Sequence, residues 1–143
     1  SFFVFDLTKH TYELVQTNKN WLGAYDAAQA ANGYLVTITN PLEEFVIRNL
    51  LPNPFDFYAG GTDEVVEEAW SWITDEPFQY THWAPNEPNN AGGSEDFIEV
   101  HGDGQWNDVN GTNSLWFVIE RDLTARIPVI MFDGKPRNTR IFT

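Results

Sequence analysis

The chain has 143 residues, 42% of them hydrophobic, with 6 Trp, 5 Tyr, 11 Phe and a formal charge of -13. That suits a single domain with an ample core rather than a disordered segment, and the absence of cysteine excludes disulfides, a thiol nucleophile and a Cys-type zinc site. Up to residue 120 there are three basic residues against 19 acidic ones, and beyond it five against two, so the body repels nucleic acid and anionic membranes and attracts cations.

In chain order, Phe2–Phe5 and Thr11–Thr17 read as strands, the second roughly alternating. The N-terminal stretch has no basic region or cleavage pattern and does not read as a signal peptide; the chain reads as a mature piece of something longer. The next segment places Trp21, Ala24, Ala28 and Ala31 at helical spacing, with Asn20 to cap its start and Gly33 to close its end. Tyr34–Ile38 is a short apolar strand. A second helix follows, with Asn40 at the N-cap, Pro41 at the first position and Glu43 three residues after the cap. Leu42, Phe45, Val46, Asn49 and Leu50 trace its largely apolar face, and Pro52 and Pro54 end it. Beyond residue 54 the helical pattern stops, and FYAGG, AWSWI, FIEV and LWFVIE are strand candidates between turn residues. Residues 74–96 are long and irregular but hold Phe78, Tyr80 and Trp83, which predicts that they fold against the body. The tail, 121–143, reads as a hairpin around Asp133–Gly134, able to pair with Phe2–Phe5 or to link to a neighbour. Strands, two helices and then strands make an α+β domain over residues 1–143. No run of about 18 apolar residues is available to span a membrane.

Three clusters hold hard oxygen donors: Glu87–Asn90, Ser94–Asp96 and Trp106–Asp108. Alone, each reads as an ordinary turn. Together they suit calcium, which takes six to eight oxygens at about 2.3–2.6 Å; zinc would want nitrogen or sulfur. His10, His82 and His101 sit in no ligand spacing, and most of the tryptophans read as core. Glu87 and Glu95 could serve as a glycosidase pair, but carboxylates clustered with amides suit a cation better. No phosphate loop, dinucleotide fingerprint or Ser–His–Asp set is present.

In order and spacing these motifs resemble the C-type lectin carbohydrate-recognition domain, over roughly residues 11–120. The resemblance lies in WLGAYDAAQAANGYLVTI, FYAGGTD, WAPNEPNN, GGSEDFIEV, GQWNDV and WFVIE. It implies a C-type lectin fold of two helices, short antiparallel strands and a long irregular calcium-binding loop region. It implies a principal calcium held by Glu87, Asn89, Glu95, Asn107 and Asp108, with a cis Glu87–Pro88 bond. Asp63 and Glu67, with Glu95, Asp96 and Asn90, match an auxiliary calcium site; Asn90 stands where such members often have Asp, and a solvated acidic turn is the alternative for residues 63–68. The family's two disulfides are replaced by Ala28 with Ile119 and by Phe97 with about Gly111. Each lost cross-link costs about 2–4 kcal/mol in the chain-entropy model, which leaves calcium more of the stabilising role.

The resemblance further implies a non-enzymatic, calcium-dependent lectin module. The Glu-Pro-Asn form goes with the equatorial hydroxyl pairs of mannose, glucose and N-acetylglucosamine and the matching pair of fucose, and Gln-Pro-Asp with galactose. Its partners would be cell-surface glycans, bound by an adhesion module that is extracellular or at the cell surface, beside neighbouring domains of a larger chain. The missing cysteines and acidic body point to a bacterial variant. A protein- or ice-binding member of the same fold is the rival reading, with a carboxylate-based glycosidase behind it.

Overall fold

The computed structural model describes residues 2–5, 10–50 and 54–123, the first four as backbone. Pro52 and the expected Asp133–Gly134 hairpin, with any pairing it makes to Phe2–Phe5, lie outside the described residues. In chain order the elements are β1 (Phe2–Phe5), β2 (His10–Lys19), α1 (Trp21–Ala30), β3 (Tyr34–Leu35), α2 (Pro41–Arg48), β4 (Phe57–Thr62), β5 (Ser71–Trp72), β6 (Phe97–Val100), β7 (Trp106–Val109) and β8 (Leu115–Asp122).

Among these residues the strands form one sheet in the order β1-β2-β8-β4-β6-β7, with β3 against β8 and β5 against β4. Strand β8 returns antiparallel to β2, which closes the two ends of the domain on each other. Strand β4 lies parallel to β8, with Phe57 opposite Trp116. This one parallel pair departs from the antiparallel expectation, because a crossover pairing has no local turn signal to announce it. Strand β8 also runs past residue 120: His10 pairs with Asp122, and Arg121 donates to Glu13 at 2.9 Å and to the Ala31 carbonyl at 3.0 and 3.2 Å.

Alternation along the strands sorts the core into two faces. One buries Tyr12, Leu14, Ile47, Trp72, Ile98 and Trp106. The other buries Trp21, Ala24, Ala28, Tyr58, Phe117 and Ile119. Helix α1 lies on the second face and starts as expected, with Gly23 N–H donating to the Asn20 side chain at 2.8 Å. Its end differs from the expectation. Asn32, not Gly33, takes the left-handed conformation (φ 62), and the N–H groups of Asn32 and Gly33 return to the carbonyls of Gln29 and Ala28 at 3.0 Å each. That is a Schellman closure with Asn at the turning position. Gly33 is required for closeness instead: a Cβ there would lie 2.5 Å from Ile119 and 2.7 Å from the Glu120 carbonyl.

Helix α2 has its expected cap, Glu43 N–H donating to Asn40 at 2.8 Å, while the Glu43 carboxylate accepts from Thr39 N–H at 2.8 Å. Its expected apolar face is corrected. Leu42 and Phe45 are exposed, and the buried positions are Glu43, Glu44, Ile47 and Leu50. The two carboxylates go inside because the sheet and loop supply their donors. Tyr12 donates to Glu43 at 2.6 Å, Tyr80 donates to Glu44 at 2.9 Å, and His82 Nδ1 lies 2.7 Å from Glu44. A buried carboxylate with such partners costs far less than an unpaired one.

The positions matched to the family's cross-links are filled by packing. Ala28 and Ile119 share the second core cluster. Gly111, at φ 81, leaves only 2.7 Å from its would-be Cβ to the Phe97 ring and 3.1 Å to the Trp21 Cβ, and the Trp21 and Phe97 rings stack at 4.2 Å. Gly111→Ala is therefore expected to destabilise the domain by about 2–4 kcal/mol, from left-handed strain plus overpacking. An unchanged denaturant midpoint would contradict this.

At the start of β2 His10 pairs with fully buried Glu120. The hydrogen bond to Glu120 raises His10 to about 9, and burial pushes Glu120 up as well. Both shifts mean that the folded chain holds more protons than the unfolded one, so stability falls as pH rises. The His10 contribution is complete below the ordinary histidine value near 6.5 and lost as pH passes about 9. Allowing for screening at a partly exposed ring, about 1 kcal/mol should go between pH 7 and 9. Replacing both partners, His10→Gln with Glu120→Gln, should flatten that slope in urea titrations taken at both pH values.

Candidate functional site

The Trp-Asn-Asp strand anchors the irregular segment. Trp106 N–H donates to the His82 carbonyl and Ala84 N–H to the Trp106 carbonyl, each at 2.8 Å. The Trp106 indole is fully buried and meets Trp72 edge-on at 5.5 Å and Trp83 at 5.6 Å. Phe78 and Tyr80 pack on it too, so residues 74–96 fold against the body as predicted. Trp72 and Trp106 are core, while Trp70, Trp83 and Trp116 are partly buried against it.

This floor carries residues 85–96. The Glu87–Pro88 bond is cis, as the resemblance implies. Asn86 and Asn90 have left-handed φ of 69 and 48, and Gly92 and Gly93 have 74 and 81. Part of the loop's amide and glycine content thus serves backbone conformation, since Asn and Gly tolerate that region best.

The side chains of Glu87, Asn89, Glu95 and Asp108 come together. Asp108, 1% exposed, accepts from Asn89 N–H at 3.0 Å through one oxygen and from Asn90 N–H at 2.7 Å through the other. Ala91 N–H is shared by the Asn89 side-chain oxygen at 3.0 Å and Glu95 at 2.7 Å. Burial and the neighbouring Asp108 and Glu95 push the Glu87 carboxyl up, and burial and Asp108 push Glu95 up. One Glu87 oxygen is buried without a hydrogen-bond partner. Asn107 is placed differently. It alternates to the other face of β7, where strand register makes it the cross-strand neighbour of Glu99.

Asp63, Glu67 and Asp96 form the second group, with one oxygen from each inside a 4.8 Å sphere of mutual distances. Asp63 N–H donates to the Asp96 carbonyl at 3.1 Å, and Glu68 N–H to one Asp63 oxygen at 2.8 Å; the other is buried and unpartnered. Burial and the facing Asp63 raise Asp96. Asn90 lies outside this group, its side-chain oxygen taking Glu95 N–H at 2.9 Å. Two further clusters among the described residues, His10–Glu120–Asp122 and Asp56–Glu99–His101, each contain a histidine beside two carboxylates. Asp63–Glu67–Asp96 has none.

A cleft of about 200 Å3 joins the two groups, lined by Glu67, Glu68, Trp70, Pro88, Asn89, Asn90 and Asp108. Crowded oxygens, two of them buried without partners, fit a hard divalent cation, and calcium is the one that accepts such all-oxygen cages. Sequence reasoning did not find Glu99 or Glu68; it weighs Trp70 as a sugar-stacking candidate and reads most of the tryptophans as core, and Trp70 lines the cleft while packing on the core. The alternation of FIEV places Glu99 and Phe97 on one face, but only the pairing of β6 with β7 shows what Glu99 meets.

The model of the family "Lectin C-type domain" matches residues 17–120. The chain belongs to the C-type lectin domain family. Human asialoglycoprotein receptor 2 is 36% identical over 105 residues, which cover 68% of this chain and 32% of that protein. The chain thus spans about a third of that relative's length. The cow C-type carbohydrate-recognition domain of CD23, crystallised in the presence of a GlcNAc2Man3 oligosaccharide, superimposes with a TM-score of 0.78 at 29% identity, over 83% of this chain and 92% of that one. A calcium-independent type II antifreeze protein shares the fold, with a TM-score of 0.77 at 21% identity, over 85% of this chain and 92% of that one. Members of the family are non-enzymatic carbohydrate-binding proteins, and the relatives are mostly extracellular or at the cell surface. No helix among the described residues is long and apolar enough to cross a membrane.

Proposed function

We propose that the domain binds carbohydrate through calcium, taking the vicinal equatorial hydroxyls of mannose, glucose or N-acetylglucosamine, or the matching pair of fucose. The observation that carries this reading is the convergence of Glu87, Asn89 and Glu95 from one segment on Asp108 from another. In this reading Asn107 completes the principal set, and Asp63, Glu67 and Asp96 hold a second cation. A bound calcium supplies open coordination positions for two neighbouring hydroxyls. Around it Glu87 and Glu95 accept hydrogen bonds from those hydroxyls, and the amides of Asn89 and Asn107 donate to them. One such pair gives a Kd of about 1 mM, or about -4 kcal/mol. Attachment to an extracellular glycan surface therefore calls for several copies, or for neighbouring domains in a longer chain.

A glycan array read in calcium and again in chelator tests this. Binding to mannose- and fucose-type glycans should vanish with chelator. Glu87→Gln combined with Asn89→Asp should move the preference toward galactose, since it exchanges acceptor and donor. Mannose-type binding untouched by that pair would remove the site assignment. The calcium-independent antifreeze neighbour favours one second reading, a fold used on ice or protein without sugar. Free mannose that fails to compete for the natural ligand would select it.

A further inference from the structure

Glu99 lies where the sugar site meets the sheet. Strand register sets it directly opposite Asn107 on β7 and beside Tyr58 on β4. Its side chain is only 16% exposed, with His101 Nε2 at 3.8 Å. His101 in turn has Asp56 at 4.0 Å, and Asp56 is held by Gly102 N–H at 2.8 Å. Asp56, His101, Glu99 and Asn107 therefore lie in one row, with His101 near both carboxylates but beyond hydrogen-bond distance of either. Strand β6 follows closely on Glu95, so Glu99 stands four residues from a member of the ligand cluster.

A carboxamide has two ends of nearly equal shape and opposite chemistry. A cation attracts Oδ1 and repels the Nδ2 protons. An ionised carboxylate is an acceptor only, so it can engage Asn107 only through Nδ2. We propose that Glu99 is the positioning residue of the sugar site. It holds the Asn107 amide by Nδ2 so that Oδ1 is left for the cation and the remaining Nδ2 proton for a sugar hydroxyl. This rests on Asn107 being a member of the ligand set. Partners of metal ligands typically matter by about 10- to 100-fold in metal affinity, and loss of Glu99 should fall in that range.

The test is calorimetric titration of calcium, then of methyl α-mannoside at saturating calcium, on the whole chain. The variants are Glu99→Ala, Glu99→Gln, Asn107→Ala and the double Glu99→Ala/Asn107→Ala, each with Tm recorded in chelator. Glu99→Ala should weaken calcium by about tenfold or more. Glu99→Gln keeps an acceptor oxygen without the charge and should recover most of that loss. Adding Glu99→Ala to Asn107→Ala should cost nothing further, because residues that act through one another are not additive. A Gln variant as weak as Ala would make Glu99 a mere source of charge and overturn the inference. So would a Glu99→Ala that binds calcium normally, or one whose deficit persists undiminished in the double variant. If Asn107→Ala itself binds calcium and mannoside at wild-type strength, the fault lies in the ligand set of the proposed function instead.

Discussion

Asp108→Ala is expected to abolish calcium-dependent sugar binding at millimolar sugar while leaving the fold in place. Asp108 does two jobs at once. Its two oxygens hold Asn89 N–H and Asn90 N–H, which fixes the turn carrying Asn89, and its charge crowds Glu87. Removing it takes away one anionic ligand and the template for another. Calcium affinity is set by the charge count and rigidity of the cage, so a loss of about 100-fold or more is expected, some 2.7 kcal/mol. Asp108→Asn keeps one acceptor oxygen and should bind calcium weakly while protecting one of the two amides. Calorimetry measures the affinity, and hydrogen exchange at the Asn89 and Asn90 amides measures the loop. The fold should survive because the neighbouring Trp106 stays in its aromatic cage. An Ala variant that binds calcium within twofold of wild type would refute the role given to Asp108.

The second large effect is on stability. Glu87 and Asp63 each bury an unpartnered carboxylate oxygen, and Asp63, Glu67 and Asp96 crowd together without a basic neighbour in the cluster. These repulsions weaken the native state until a cation offsets them. Calcium at 100 times its Kd adds about 2.7 kcal/mol by mass action. At about 2–4 °C per kcal/mol for a chain near this size, Tm should rise by roughly 5–10 °C over the value in chelator. Magnesium should do much less, since it resists all-protein cages. Asp63→Asn should remove the part of the shift that belongs to the second group while sparing mannose binding. Equal melting curves in calcium and chelator would mean that neither group holds the ion. With packing of Ala28 on Ile119 and of Gly111 on Phe97 in place of cross-links, the stabilisation by such an ion is expected to be large.

Local chemistry was legible in the chain. The caps at Asn20 and Asn40 and the turns of the oxygen-rich loop follow from residues a few positions apart, and the aromatic residues Phe78, Tyr80 and Trp83 announced that the long segment folds on the body, though not that Trp106 would receive them. Side-chain oxygens meet nearby N–H groups, and Asn and Gly take up left-handed turns, without help from distant strands. What lay beyond the sequence was every outcome that depends on which surface arrives from elsewhere. Leu42 and Phe45 are apolar enough to be buried, yet Glu43 and Glu44 hold the inner positions of α2, because Tyr12, Tyr80 and His82 come from 31 to 38 residues away to hydrogen-bond them. The parallel pairing of β4 with β8 and the meeting of Glu99 with Asn107 are likewise matters of strand register. Register is a long-range choice, and a shift of one residue would turn each of these side chains to the opposite face.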